Sequence, residues 1–115
     1  MPAPDGPQFK MYSARELLKK YPPNNLEHAM GESTEELLGR KLHESVESGL
    51  YGDIRQNGIR TPVSVSPRID NPQMLDGHHR VAVMLNLSPD EVSIPVTAPP
   101  RNKGAFSERL YTDEL

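Results

Sequence analysis

The chain has 115 residues, 35% of them hydrophobic, with 12 prolines, a net charge of -3 and a pI near 5.8. That length allows one small domain with a modest core and some length spent on tails, and the acidic balance is not the footprint of a general DNA binder. The absence of cysteine excludes a disulfide framework, a thiolate zinc site and a cysteine nucleophile together.

No apolar run approaches bilayer length and the N-terminus has no apolar signal core, so a cytoplasmic protein with no membrane contact is expected. Residues 1–12, with Pro2, Pro4, Gly6 and Pro7, read as a flexible lead-in. Ser13 stands three residues before Glu16, the capping-box spacing, and opens a short helix through Leu17, Leu18 and Lys20 that Pro22 and Pro23 stop. Asn24 to Glu32 reads as an irregular link or a weak helical turn, in which Glu27 and His28 have no evident partner. Ser33 or Thr34 caps the next helix, with Glu35 and Glu36 in its first turn. Leu38, Leu42, Val46 and Leu50 recur every four residues and Leu37 widens that stripe, which leaves Arg40, Lys41, Glu44 and Glu47 on a solvated face. Gly49 marks an end or a kink, and a shorter helix runs from Leu50 to Asn57 with Leu50, Tyr51 and Ile54 inward.

Pro62 to Ser66 alternates at strand period, Pro67 to Pro72 is a turn, and Gln73-Met74-Leu75 is a short strand. The helix His78 to Asn86 is apolar on most sides and should be the most buried one. After a turn at Ser88 to Glu91, Val92 to Val96 reads as the last strand, with Pro95 marking an edge or a bulge. From Pro99 the chain turns polar, and Phe106, Leu110 and Tyr111 suit either a tail or a weak amphipathic docking helix. The boundaries are a lead-in at 1–12, a domain at 13–98 with its core at 50–96, and a C-terminal tail or docking helix at 99–115. The class is α+β, a small mixed sheet packed with helices.

The most informative stretch is Met74-Leu75-Asp76-Gly77-His78-His79-Arg80-Val81-Ala82-Val83-Met84, an apolar strand end, a polar turn and an apolar helix. Asp76 is a good N-cap residue, Gly77 lets the backbone turn sharply, and the next three residues fall where amides lack intrahelical partners. A strand, a glycine turn and a helix start beside a guanidinium form a plausible phosphate cradle.

Asp76-Gly77-His78-His79-Arg80, preceded by Asn57-Gly58-Ile59-Arg60-Thr61-Pro62-Val63-Ser64-Val65, resembles the ParB N-terminal / sulfiredoxin superfamily over residues 50–96. The resemblance implies a compact ParB/sulfiredoxin-like domain that binds a nucleotide at this loop. Members include partition proteins that bind and hydrolyse CTP, sulfiredoxin, an archaeal serine kinase and domains labelled ParB-like nucleases. His78 stands where sulfiredoxin's motif carries its cysteine, so that chemistry is excluded. The partition proteins' motif is Gly-Glu-Arg-Arg, and here the glutamate and one arginine are missing, so the motif does not by itself carry over CTP specificity or CTP hydrolysis. The enzyme expected is a nuclease, a nucleotide hydrolase or a phosphotransferase. With no helix-turn-helix region after Val96, the expectation is the superfamily domain standing alone, as in phage and plasmid genomes.

On these grounds Gly77, His78, His79 and Arg80 are the candidate phosphate- or nucleotide-binding residues, with Arg60 and Thr61 secondary. One imidazole is expected to donate to a phosphate oxygen and the other to pack or to orient Arg80. Adjacent helical side chains diverge by about 100°, so no metal site is assigned to the two histidines. Asp76 serves either as the helix cap or, beside a polyphosphate, through Mg²⁺ arriving with a nucleotide. Asp76, His78 and Glu44 are the candidates for chemistry, Glu44 as a base from the preceding helix. The expected activity is nucleotide binding with nuclease or phosphoryl-transfer chemistry, and the candidate partners are a nucleotide, DNA, a host protein and a second copy of the chain. The alternative is a non-catalytic interaction protein that uses this scaffold to bind a host or partner protein.

Overall fold

The computed structural model describes residues 9–98, and they open on strand β1 (Phe9–Tyr12). The Ser13 hydroxyl then accepts the Glu16 N–H at 3.2 Å and starts helix α1 (Ala14–Lys20). Ser33 starts α2 (Thr34–Ser48) through a reciprocal capping box, in which its hydroxyl accepts the Glu36 N–H at 3.1 Å and the Glu36 carboxylate accepts the Ser33 N–H. Gly49 ends α2 with φ +87° and begins α3 (Leu50–Asn57). Strands β2 (Val63–Ser66) and β3 (Gln73–Asp76), helix α4 (His78–Leu87) and strand β4 (Ile94–Thr97) complete the order. Among the described residues no helix is long and apolar enough to cross a membrane.

The strands form one sheet in the order β1-β4-β2-β3. β1 and β4 pair antiparallel with Tyr12 opposite Ile94, β4 and β2 run parallel with Val96 opposite Val63, and β2 and β3 pair antiparallel. Alternate residues Tyr12, Val63, Val65, Met74, Ile94 and Val96 are buried in one core with Leu17 of α1, Ile54 of α3 and Val81, Val83 and Met84 of α4. α4 carries the most buried positions of the four helices, as its apolar run predicts. The α+β class, a small mixed sheet packed with helices, is observed.

Two expectations about the strands are corrected. The lead-in does not reach residue 12, because Phe9–Tyr12 is a strand whose Tyr12 is buried and meets Tyr21 edge-on at 6.3 Å. Residues 1–8 and the segment carrying Phe106, Leu110 and Tyr111 lie outside the described residues. Pro95 is not on an edge strand, since β4 lies between β1 and β2. It stands opposite Met11, one position before the register with β2 begins at Val96, and the missing N–H is tolerated there.

The buried face of α2 is also rotated by one residue from the expected stripe. Leu37, Lys41 and Ser45 are buried where α2 packs on α4, whereas Val46 is 57% exposed. Lys41 enters this face because its ammonium donates to the Glu27 carboxylate at 2.9 Å. Ser45 satisfies its hydroxyl on the Lys41 carbonyl at 2.7 Å. The link between α1 and α2, which holds a 3-10 turn at Asn25–Glu27, is therefore braced against α2. Arg40 adds a two-pronged contact to Glu32 at 2.9 Å on each prong and a bond to the Glu27 carbonyl at 3.0 Å.

Candidate functional site

The turn between β3 and α4 is set by Gly77, at φ +105° and ψ 16°. A Cβ built there would lie 2.8 Å from Val63 Cγ2, so both the backbone conformation and the packing on β2 require glycine. Gly77, and not Asp76, is the N-cap residue of α4, and no side chain caps the helix. The expected Asp76 cap is corrected for a geometric reason. Asp76 is still in register with Ser64 of β2, and the chain turns one residue later. Its exposed carboxylate instead accepts from Arg80 Nη2 at 3.4 Å.

Arg80 is a strut. Its Nη1 donates to the carbonyls of Thr61 at 2.7 Å and Pro62 at 2.9 Å, which ties the start of β2 to the first turn of α4. A guanidinium has five N–H groups. These bonds and the Asp76 contact use three and leave two without a partner among the described residues. The side chain is 16% exposed.

His79 bridges the helices, with Nε2 2.8 Å from Oε1 of Glu44 on α2. That hydrogen bond, ahead of the charges of His79, Lys41 and Arg40, holds the Glu44 carboxyl below its ordinary range. The two neighbouring histidines diverge as expected. His78 is 3% exposed and its Nε2 accepts the Asn24 N–H at 3.3 Å, so it anchors the α1–α2 link. Burial lowers its proton affinity, opposed by the charges of Glu27 and Asp76.

Thr61, Asp76, Gly77, His79, Arg80 and Glu44 line one open cleft of about 750 Å³. Two residues singled out from the sequence do not line it. His78 is buried against the Asn24 N–H, and Arg60 pairs at 2.9 Å with Asp53, which does line the cleft. Four lining residues went unread in the sequence, namely Ser48, Gly49, Leu50 and Asp53 at the α2–α3 junction. A signal for them existed, since Gly49 joins two helices and α3 begins, like α4, on a glycine with no side-chain cap. Two helix starts therefore border one cleft. The first-turn amides of α4 favour an anion there. At Gly49, in contrast, the C-terminal end of α2 opposes the α3 dipole, and the Ser48 hydroxyl accepts the Leu50 N–H at 3.4 Å.

The carboxylates of Glu44, Asp53 and Asp76 oppose that preference for a bare polyanion. Among the described residues no group of three or more His, Asp or Glu side chains is placed to hold a metal ion. No family model matches the chain, and neither a curated protein nor a solved structure does.

Proposed function

We propose that this protein binds a nucleotide, or another ligand bearing phosphate, at the loop Gly77–Arg80. The proposal joins the ParB N-terminal / sulfiredoxin resemblance to one observation that carries it. Six residues chosen from sequence for this role or for chemistry beside it border a single cleft at the start of α4, a helix that no side chain caps. In this reading the amides of α4 and the remaining N–H groups of Arg80 receive phosphate oxygens. Thr61, whose carbonyl Arg80 holds, lines the cleft beside it. Because three carboxylates line the cleft, the magnesium complex is the favoured form, with the ion carried by the ligand's phosphates. Chemistry on such a ligand, whether phosphoryl transfer or phosphodiester cleavage, would rest on positioning and electrostatics.

Calorimetric titration with CTP, ATP, ADP and GTP, with and without Mg²⁺, tests this reading. Saturable binding that Arg80→Ala abolishes and Arg15→Ala preserves is the expected result. Arg80→Lys guards against misreading lost folding, since it keeps a donor near the Thr61 carbonyl. No binding of any nucleotide to the wild-type chain refutes the proposal.

A second reading, the non-catalytic interaction protein, is favoured by a different observation. Leu26 and Met30, four residues apart on the braced α1–α2 link, are 92% and 104% exposed and offer two apolar side chains to a partner. A protein partner that is lost on Leu26→Ala with Met30→Ala, while nucleotides fail to bind, would decide for that reading.

A further inference from the structure

The sheet has two outer edges, and they are treated differently. At β3 the Met74 N–H donates to the Pro22 carbonyl at 2.8 Å and Pro23 bridges to Met74, so two prolines cover that edge. β1 is the opposite edge, and among the described residues no strand or bridge lies on its outer side.

Pro95 decides which groups that side presents. It stands opposite Met11 and has no N–H, so the two form a non-bonded pair of the antiparallel ladder. The bonded pairs are then Lys10 with Val96 and Tyr12 with Ile94, which turns the N–H and C=O of Phe9 and Met11 away from β4. The two faces beside this edge differ in chemistry. Phe9 and Met11 lie on the face turned from the core, opposite Thr97 and Pro95, and are 63% and 50% exposed. Lys10 shares the other face with Tyr12, its ammonium 5.2 Å from the centre of that ring. Lys20 of α1 reaches the same ring at 5.8 Å and Tyr21 at 5.6 Å. Two ammonium groups thus converge on one ring beside the edge, in a chain whose net charge is -3. A strand laid against β1 puts alternate side chains on these two faces. One set meets Phe9 and Met11, and the other meets Lys10 and Lys20.

We propose that the outer edge of β1 takes up an extended segment of a partner protein, in which apolar and acidic residues alternate, as a fifth strand of the sheet. Main-chain hydrogen bonds to Phe9 and Met11 hold the segment, and the alternation selects it. A second copy of the chain fits this edge less well. Antiparallel pairing of two β1 strands through the outward groups sets the two Lys10 side chains face to face, and like charges so placed oppose assembly. The proposal is independent of nucleotide binding, since β1 contributes no residue to the cleft.

The test titrates the labelled full-length protein with two short synthetic peptides and follows its backbone amides. One peptide alternates valine with glutamate, the other valine with lysine. The expected result is saturable shifts at Phe9–Tyr12 with the glutamate peptide and none there with the lysine peptide. Met11→Pro deletes an outward N–H and leaves the ladder to β4 intact, so its urea unfolding should stay close to wild type while its affinity falls at least about tenfold. Lys10→Glu with Lys20→Glu should reverse the preference between the peptides, which a purely structural role of the lysines would not produce. Equal binding of both peptides, wild-type affinity in Met11→Pro, or no shift at β1 overturns the proposal. Concentration-dependent dimerisation without peptide, lost in Met11→Pro, assigns the edge to a second copy and overturns it as well.

Discussion

Replacing Gly77 by alanine tests how the cleft is built, and the structure gives the size of the effect. An L-residue in the left-handed region costs about 1–2 kcal/mol. The new Cβ would also meet Val63 Cγ2 at 2.8 Å and Val63 Cβ at 3.2 Å, and Val63 is fully buried and cannot swing away. Overpacking of this kind costs about 1–3 kcal/mol, so the expected total is about 2–5 kcal/mol. Gly49 supplies the internal control. It has φ +87° with nothing within 4 Å of a built Cβ, so Gly49→Ala should lose only the backbone share, about 1–2 kcal/mol. Equilibrium urea unfolding of the two variants reads the difference directly, provided the m-values agree. In a Val63→Ala background both Cγ contacts are gone and only the 3.2 Å approach to Cβ remains. Gly77→Ala should cost less there than in the wild-type background, with most of its excess over Gly49→Ala removed. Equal losses for the two glycine variants in the wild-type background would refute the packing argument.

Two further predictions concern the braced α1–α2 link. Glu27→Ala leaves the buried Lys41 ammonium without its partner at 2.9 Å and should cost about 1–3 kcal/mol, given that Glu27 is partly exposed. Lys41→Met keeps the packing on α4 and should cost clearly less in the same denaturation assay, so the reverse order would count against the pairing. His78 has a proton affinity lowered by burial from the ordinary 6.5, so the unfolded chain binds the extra proton first. Its contribution is fully present above pH 6.5 and is lost as pH falls toward the folded-state value. His78→Gln, which keeps an acceptor for the Asn24 N–H, should flatten the stability profile from about pH 7 to about pH 5, and an unchanged slope would remove His78 from the account.

Much of the fold was legible because its signals are local. Ser13 and Ser33 announce their helices by cap chemistry, Gly49 ends one, and the apolar run after Gly77 identifies the buried helix. What escaped depends on partners distant in sequence. β1 exists because residues 9–12 find β4 some eighty-five residues on, with Phe9 opposite Thr97. The buried face of α2 could not be read from its leucines, since Lys41 turns inward to reach Glu27, a contact invisible to periodicity. At the site, Gly77 and Arg80, singled out from the motif, both line the cleft, while Asp76 stays in register with β2 and His78 is buried against the Asn24 N–H. The second wall, from Ser48 to Asp53, depends on the packing of α2 and α3 against α4, which no motif records.

The central claim is that a nucleotide occupies the cleft between the starts of α3 and α4. A titration of the isotopically labelled protein with MgATP and MgCTP, followed through its backbone amide resonances, tests it most directly. The account predicts saturable shifts confined to Gly49, Leu50 and Gly77 through Arg80, with Arg15, His43 and Asp90 unmoved. Saturable shifts centred elsewhere on the chain, or none at any nucleotide concentration, would contradict it.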